Sequence, residues 1–112
     1  IRSEHFEQIS REVEQSNHAH GMECSYYELL YAKAILAFSE STLDVIVVEA
    51  AMGGAYDATI TLRSSNKCLG VVVTNVIVDH VHYLGESVEG ILDNLLEVLP
   101  SPEAPLVMAR NQ

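Results

Sequence analysis

The sequence predicts an α/β fold with three layers, in which helices flank a mostly parallel β-sheet. Two short runs rich in β-branched residues, at 45–48 and 69–73, lack the polar alternation of a strand with one wet face. Helical patterns lie before and after these runs, and such alternation favours a layered sheet. A length of 112 residues and a hydrophobic content of 48% allow one domain or part of one.

A first helix is predicted near the start of the chain. Phe6, Ile9 and Val13 recur at helical spacing among acidic and basic residues. This pattern indicates one apolar stripe on an otherwise solvated helix, which is expected to end near Asn17.

A second helix has a clear start signal. Ser25 can accept a hydrogen bond from the backbone of Glu28, and the Glu28 side chain can reach back to the Ser25 N–H to close a capping box. The helix is expected to run to about Ser39, and its body is apolar nearly all round.

The last third of the chain predicts a helix and a strand. An apolar stripe continues at helical spacing from Ser87 to Leu99, opposite acidic and amide residues. A final strand at residues 106–109 follows a proline-rich turn. The predicted order is therefore helix, helix, strand, strand, helix, strand.

Composition restricts the classes of partner. Sixteen acidic against six scattered basic residues give a formal net charge of −10, so nucleic acid is not an expected partner. No apolar run approaches the roughly 18 residues needed to span a bilayer, and the first residues are polar and acidic, so no membrane association is predicted. Two widely separated cysteines, Cys24 and Cys68, fit reduced thiols in the cytoplasm.

The first candidate site segment follows the run at residues 45–48. In open parallel sheets, ligands bind beyond the carboxyl ends of the strands. The run leads directly into Glu49 and then into Gly53 and Gly54, where the backbone can approach a ligand closely. The same two glycines also fit an ordinary turn, and that alternative stays open.

The second candidate segment follows the second predicted buried strand, and contains Thr74, Asp79, His80 and His82. Magnesium is usually held by one or two protein groups together with waters and substrate phosphates, so Glu49 and His80 would suffice. A zinc site formed by Asp79, His80 and His82 is a less favoured alternative, because no further ligand follows at metal-site spacing.

Three segments of the sequence resemble a known family in the order in which they occur. They are S-Y-Y-E at residues 25–28, D-V-I-V-V-E-A-A-M-G-G-A-Y-D-A-T at 44–59 and V-T-N-V-I-V-D-H-V-H-Y-L-G at 73–85. Together they are similar to the folylpolyglutamate synthase and dihydrofolate synthase family, which is related to the Mur ligases. The family pattern is roughly T-x-F-E, E-x-G-L-G-G-R-x-D-A-T-N and T-x-x-G-x-D-H-x-x-x-L-G.

The resemblance implies that residues 1–112 are a single partial domain, from the central domain of a P-loop Mur ligase-like protein. The first residue, Ile1, also fits a piece of a longer chain. Family members use ATP to activate a carboxylate as an acyl phosphate, which the amine of glutamate then attacks. The implied function is therefore part of an ATP-dependent amide ligase that adds glutamate to folate in the cytoplasm.

The resemblance also implies roles for individual residues. Glu49 and His80 would hold the Mg²⁺ that bridges the phosphates of ATP and neutralises charge as the γ-phosphoryl group moves. The remaining residues implied to bind or shape the nucleotide site are Gly53, Gly54, Asp57, Thr74 and Asp79.

The sequence departs from the family pattern at several positions. It contains no G-x-x-G-K-[ST] loop, so the lysine that holds the ATP phosphates is expected in the remainder of the ligase, together with the C-terminal ligase domain. The departures allow an alternative, in which a non-catalytic relative serves as a binding or structural module. They are Ala55 in place of Arg, Ile60 in place of Asn, Val78 in place of Gly, and Asn94 and Leu95 where the family has an E-K-A-G segment.

Overall fold

The computed structural model describes residues 1–65 and 67–109. The chain divides into two compact units, Ile1–Val47 and Val48–Gln112. Among the described residues, none of the helices combines the length and the apolar character required to cross a lipid bilayer.

The first unit is a pair of packed helices. Helix α1 spans Ser3–Ala19 and helix α2 spans Tyr26–Ser39. The predicted stripe of α1 places Ile9 in the contact, where it is 1% exposed. An ion pair between Glu14 and Lys33, with 2.6 Å between Oε1 and Nζ, also joins the two helices. Both predicted helices are therefore confirmed, and α1 extends slightly further than its apolar stripe.

The predicted capping box of α2 is formed. The Ser25 hydroxyl oxygen accepts the backbone N–H of Glu28 at 3.3 Å, and Oε2 of Glu28 accepts the backbone N–H of Ser25 at 2.7 Å. The hydroxyl of Ser25, together with its backbone N–H, holds the pKa of Glu28 below its ordinary value. The start of α2 is thus determined by its own first turn.

The second unit contains a two-stranded parallel sheet. Strand β1 spans Val71–Val73 and strand β2 spans Leu106–Met108, with Val71 opposite Leu106 in the register. The predicted strands at 69–73 and 106–109 are therefore confirmed at their centres. Mixed helices and parallel strands agree with the predicted α/β class.

A small apolar core holds the second unit together. Two helices follow β1: α3 at Val81–Leu84 and α4 at Val88–Leu96. Ser87 caps α4 by accepting the N–H of Gly90 at 3.1 Å. Four buried residues, from β1, from the loop after it and from the two helices, form the core: Val73, Val76, Leu84 and Ile91.

The prediction of a strand at residues 45–48 is wrong for this structure. The run forms no helix or strand, and Val45, Ile46 and Val47 are 60%, 44% and 90% exposed. A strand that is apolar on both faces needs neighbouring strands and covering helices, and the sheet of the described residues has only β1 and β2.

Other differences are shorter in extent. Helix α4 ends at Leu96, before the predicted Leu99. Helix α3 and two 3₁₀ helices, Gly54–Tyr56 and Ala58–Ser64, were not predicted. These short elements have no periodic apolar pattern long enough to be recognised in the sequence.

Candidate functional site

Glu49 and the glycine pair lie in one irregular segment that begins the second unit. Glu49 is exposed, whereas Gly53 and Gly54 are buried. The segment then enters the 3₁₀ helix Gly54–Tyr56. Glu49 thus lies at the surface, and the turn that follows it is packed inside the unit.

Both glycines of the pair pack against helix α4. Their φ angles are +84° and +69°, which side chains with a Cβ rarely adopt. A Cβ on Gly53 would lie 2.6 Å from Cδ2 of Leu95, and one on Gly54 would overlap Oδ1 and the carbonyl oxygen of Asn94. The backbone conformation therefore favours glycine at both positions. Lack of space also requires glycine at position 54, whereas at position 53 the close atom is the end of the flexible Leu95 side chain, which can move.

The Asp57 side chain accepts hydrogen bonds from the backbone between Glu49 and the 3₁₀ helix Gly54–Tyr56. Its side chain is buried, and the residue is 5% exposed. Oδ2 accepts the backbone N–H groups of Ala51 at 3.0 Å, Met52 at 2.8 Å and Gly53 at 3.1 Å. One carboxylate oxygen therefore fixes three consecutive peptide units.

The other oxygen of Asp57 caps the next 3₁₀ helix. Oδ1 accepts the backbone N–H of Thr59 at 2.9 Å and the Thr59 hydroxyl at 2.7 Å. Burial alone would raise the pKa of Asp57, but the hydrogen bonds from Thr59, Gly53 and Met52 outweigh it and hold the pKa below the ordinary value. The carboxylate is therefore ionised at neutral pH.

Asn94 fixes the turn from the side of α4. Its Oδ1 accepts the backbone N–H of Ala55 at 3.0 Å. In the sequence, Asn94 stands out only as a departure from the family pattern, and this contact was not predicted. Asn94 follows Asp93 on the polar side of the predicted apolar stripe, and no sequence signal indicated its contact with Ala55.

The second candidate segment follows β1 directly. Val76 is 8% exposed and anchors it in the core, whereas Thr74, Asp79 and His80 are exposed. His80 has a φ of +50°, in the left-handed region, and is the one non-glycine residue with positive φ in the described chain. Oδ1 of Asp79 accepts the His80 backbone N–H at 2.7 Å, which supports this conformation.

The two candidate segments approach each other through their neighbouring elements. The 3₁₀ helix Gly54–Tyr56 contacts α3, which begins immediately after His80. The rings of Tyr56 and Tyr83 form part of this contact, with their centroids 6.3 Å apart. The structure thus brings the glycine turn and the segment containing His80 to the same part of the second unit.

The donor groups fit a metal ion that takes few protein ligands. Within residues 1–65 and 67–109, no group of three or more His, Cys, Asp or Glu side chains is arranged to hold a metal ion. An exposed carboxylate at Glu49 and an exposed imidazole at His80 are compatible with Mg²⁺ that keeps its waters and is bound mainly through nucleotide phosphates.

The chain is similar to several curated proteins. It is 33% identical over 107 residues to "Dihydrofolate synthase/folylpolyglutamate synthase" of Mycobacterium tuberculosis, a match covering 91% of this chain and 21% of that protein. It is 35% identical over 91 residues to "Probable bifunctional folylpolyglutamate synthase/dihydropteroate synthase" of Halobacterium salinarum, covering 81% of this chain and 11% of that protein.

A eukaryotic protein gives a similar result. The chain is 32% identical over 89 residues to "Dihydrofolate synthetase" of Saccharomyces cerevisiae, covering 79% of this chain and 20% of that protein. The chain thus spans about a fifth or less of the length of these relatives. No protein-family model matches the chain, and no solved structure matches it significantly. Matches of this identity over most of the chain show that it belongs to the folylpolyglutamate synthase and dihydrofolate synthase family.

Proposed function

We propose that the chain forms part of an ATP-dependent amide ligase that adds glutamate to a folate-type carboxylate through an acyl phosphate. The observation that carries the proposal is the 33% identity to a dihydrofolate synthase/folylpolyglutamate synthase over 91% of the chain. The substrates are ATP, glutamate and a folate-type carboxylate. The remainder of the ligase supplies the phosphate-binding lysine loop that the 112 residues lack.

In this proposal Glu49 and His80 hold a magnesium ion at the nucleotide phosphates, where it offsets developing negative charge during phosphoryl transfer. The position of His80 supports the proposal, because a left-handed conformation at a non-glycine residue is retained only where the surroundings maintain it. The residues proposed to bind the nucleotide or shape its loops are Gly53, Gly54, Asp57, Thr74 and Asp79.

We also propose that the complete domain has a larger sheet than the two strands β1 and β2. In this proposal the complete domain has the three-layer Mur ligase-like architecture, in which further strands extend the sheet beyond β1 and β2. The exposed apolar side chains of Val45 and Val47 support a larger domain, since such residues are suited to contact with further parts of the protein. The net charge of −10 agrees with a protein that has no nucleic-acid partner, and we place its action in the cytoplasm.

The test is ATP turnover in the complete protein that carries this sequence. Glu49→Gln and His80→Asn are each expected to reduce folate- and glutamate-dependent ATP hydrolysis by about 100-fold, the effect of losing about 3 kcal/mol of charge stabilisation. Glu89→Gln changes an exposed carboxylate of α4 in the same way and is expected to leave turnover unchanged. Unchanged turnover in both site variants would remove the metal assignment.

A second function is favoured by one observation. Asn94 and Leu95, which stand where the family has an E-K-A-G segment, are used here in packing and in a hydrogen bond to the glycine turn. This is the behaviour expected of a relative that retains the fold as a binding or structural module. Folate binding by the complete protein without any glutamate-dependent ATP hydrolysis would support this second function.

A further inference from the structure

We infer that Asp57 is a positioning residue for Glu49, acting through the backbone that joins them and touching neither metal nor nucleotide. The inference rests on the proposed function, because it assumes that Glu49 is a magnesium ligand. It changes the role expected of Asp57, which the family resemblance placed among the nucleotide-binding residues.

The first step is the position of the Asp57 carboxylate. Its Oδ2 accepts three consecutive N–H groups, those of Ala51, Met52 and Gly53, at 2.8–3.1 Å. This group of donors begins two residues after Glu49, so the carboxylate fixes the chain just after the proposed ligand. Hydrogen bonds to an ionised acceptor are about twice as strong as neutral ones, which favours a single conformation of this backbone.

The second step is that the turn is held from both sides. Asn94 accepts the N–H of Ala55, while Gly54 packs against α4 without space for a Cβ. The backbone N–H groups of residues 51, 52, 53 and 55 are thus already bonded to side chains within the unit. In this conformation those four donors do not bind phosphate, and Gly54 is needed for packing.

The third step concerns the chemistry of the carboxylate. The residue is buried, and its two oxygens accept five hydrogen bonds from Ala51, Met52, Gly53 and Thr59. Asparagine has the same shape but presents an NH₂ group on one side, so some backbone N–H groups would face a donor. Loss of such bonds in a buried site leaves the N–H groups unsatisfied.

Amide hydrogen exchange in the complete protein that carries this sequence tests the structural half of the inference. In Asp57→Asn, the amides of Ala51, Met52 and Gly53 are expected to exchange at least about tenfold faster than in the wild type. The Ile91 amide, which donates to Ser87 at the start of α4, is expected to keep its rate. Asp93→Asn removes the same charge from an exposed position of α4 and serves as the control.

Magnesium dependence tests the functional half in the complete protein. Asp57→Asn is expected to raise the Mg²⁺ concentration for half-maximal ATP turnover by about tenfold, with a smaller loss of rate at saturating Mg²⁺. A merely structural role would lower the rate at every Mg²⁺ concentration, because fewer molecules would be folded, and would not move the half-maximal concentration. Asp93→Asn is expected to behave as the wild type.

The outcomes separate the inference from the proposed function. Unchanged exchange at residues 51–53 in Asp57→Asn would contradict the claim that Asp57 fixes this backbone, whatever the effect on ATP turnover. Faster exchange together with an unchanged Mg²⁺ concentration for half-maximal turnover would show that Asp57 fixes this backbone but does not position Glu49. If the wild type shows no Mg²⁺-dependent ATP turnover, or Glu49→Gln leaves that turnover unaltered, the proposed function and the positioning role both fail. The exchange data then still decide whether Asp57 fixes the backbone of residues 51–53.

Discussion

Gly54 lies directly against Asn94 of α4, with no room for a Cβ between the turn and the helix. Gly54→Ala is therefore expected to lower the free energy of unfolding of the second unit by about 3 kcal/mol, from backbone strain and overpacking together. Gly85→Ala is the matched control, since Gly85 has a φ of +110° and a Cβ added there would meet nothing within 4 Å. Urea denaturation should show a smaller loss for the control, and equal losses would contradict the packing argument.

The acid dependence of stability should contain a contribution from Asp57. Its pKa in the folded chain is lower than the ordinary value of 3.8, so the folded state favours the ionised form. The stabilisation is fully present above the unfolded-state pKa, near pH 4, and is lost as the pH falls through the lower folded-state pKa. The difference in stability between the wild type and Asp57→Asn should therefore be constant from pH 7 to 5 and shrink below pH 4.

Denaturation of both proteins at pH 7, 5 and 3 checks this prediction. A stability difference that stays the same at pH 3 would show that the charge of Asp57 does not contribute. Asp93→Asn, at an exposed position, should show no comparable narrowing of its difference from the wild type.

The capping box of α2 should stabilise the first unit measurably. Ser25→Ala removes the acceptor for the Glu28 N–H and is expected to cost about 1 kcal/mol. Ser25→Thr keeps a hydroxyl that can accept the Glu28 N–H and donate to Oε2 of Glu28, and should lose much less. Thermal unfolding of the wild type and the two variants can be followed by circular dichroism at helical wavelengths. Equal melting temperatures for the three proteins would show that the cap is dispensable.

The left-handed conformation of His80 predicts which substitutions at this position destabilise the second unit. His80→Val places a β-branched residue at φ +50° and should destabilise the second unit by about 1–3 kcal/mol. His80→Asn and His80→Gly remove the imidazole but tolerate this backbone, so both should remain folded. If His80→Val is as stable as His80→Asn in urea denaturation, the left-handed conformation is not required.

Features encoded by neighbouring residues could be predicted from the sequence. The Ser25–Glu28 capping box and the stripe containing Ile9 depend on contacts within a few turns of one helix, and both are present. The run at 45–48 was correctly recognised as apolar but wrongly assigned as a strand in this structure, because pairing depends on partners elsewhere that the local pattern does not contain.

The sequence predicted which residues belong to the candidate site but not the contacts that they make. Asp57 could be selected from the family pattern, but its five hydrogen bonds depend on how residues 51–59 fold back on themselves. The contact between Asn94 and Ala55 joins residues far apart in sequence, and no periodicity or spacing rule indicates it. The roles of Glu49 and His80 in metal binding stay predictions.

The short parallel ladder has a consequence for the order of folding. Val71 pairs with Leu106, so β1 and β2 can meet only after the intervening chain has closed into a large loop. The α1–α2 hairpin needs no such closure, because its contacts join elements adjacent in sequence. Contacts of low sequence separation form faster, so the hairpin should appear in stopped-flow refolding before the β-ladder.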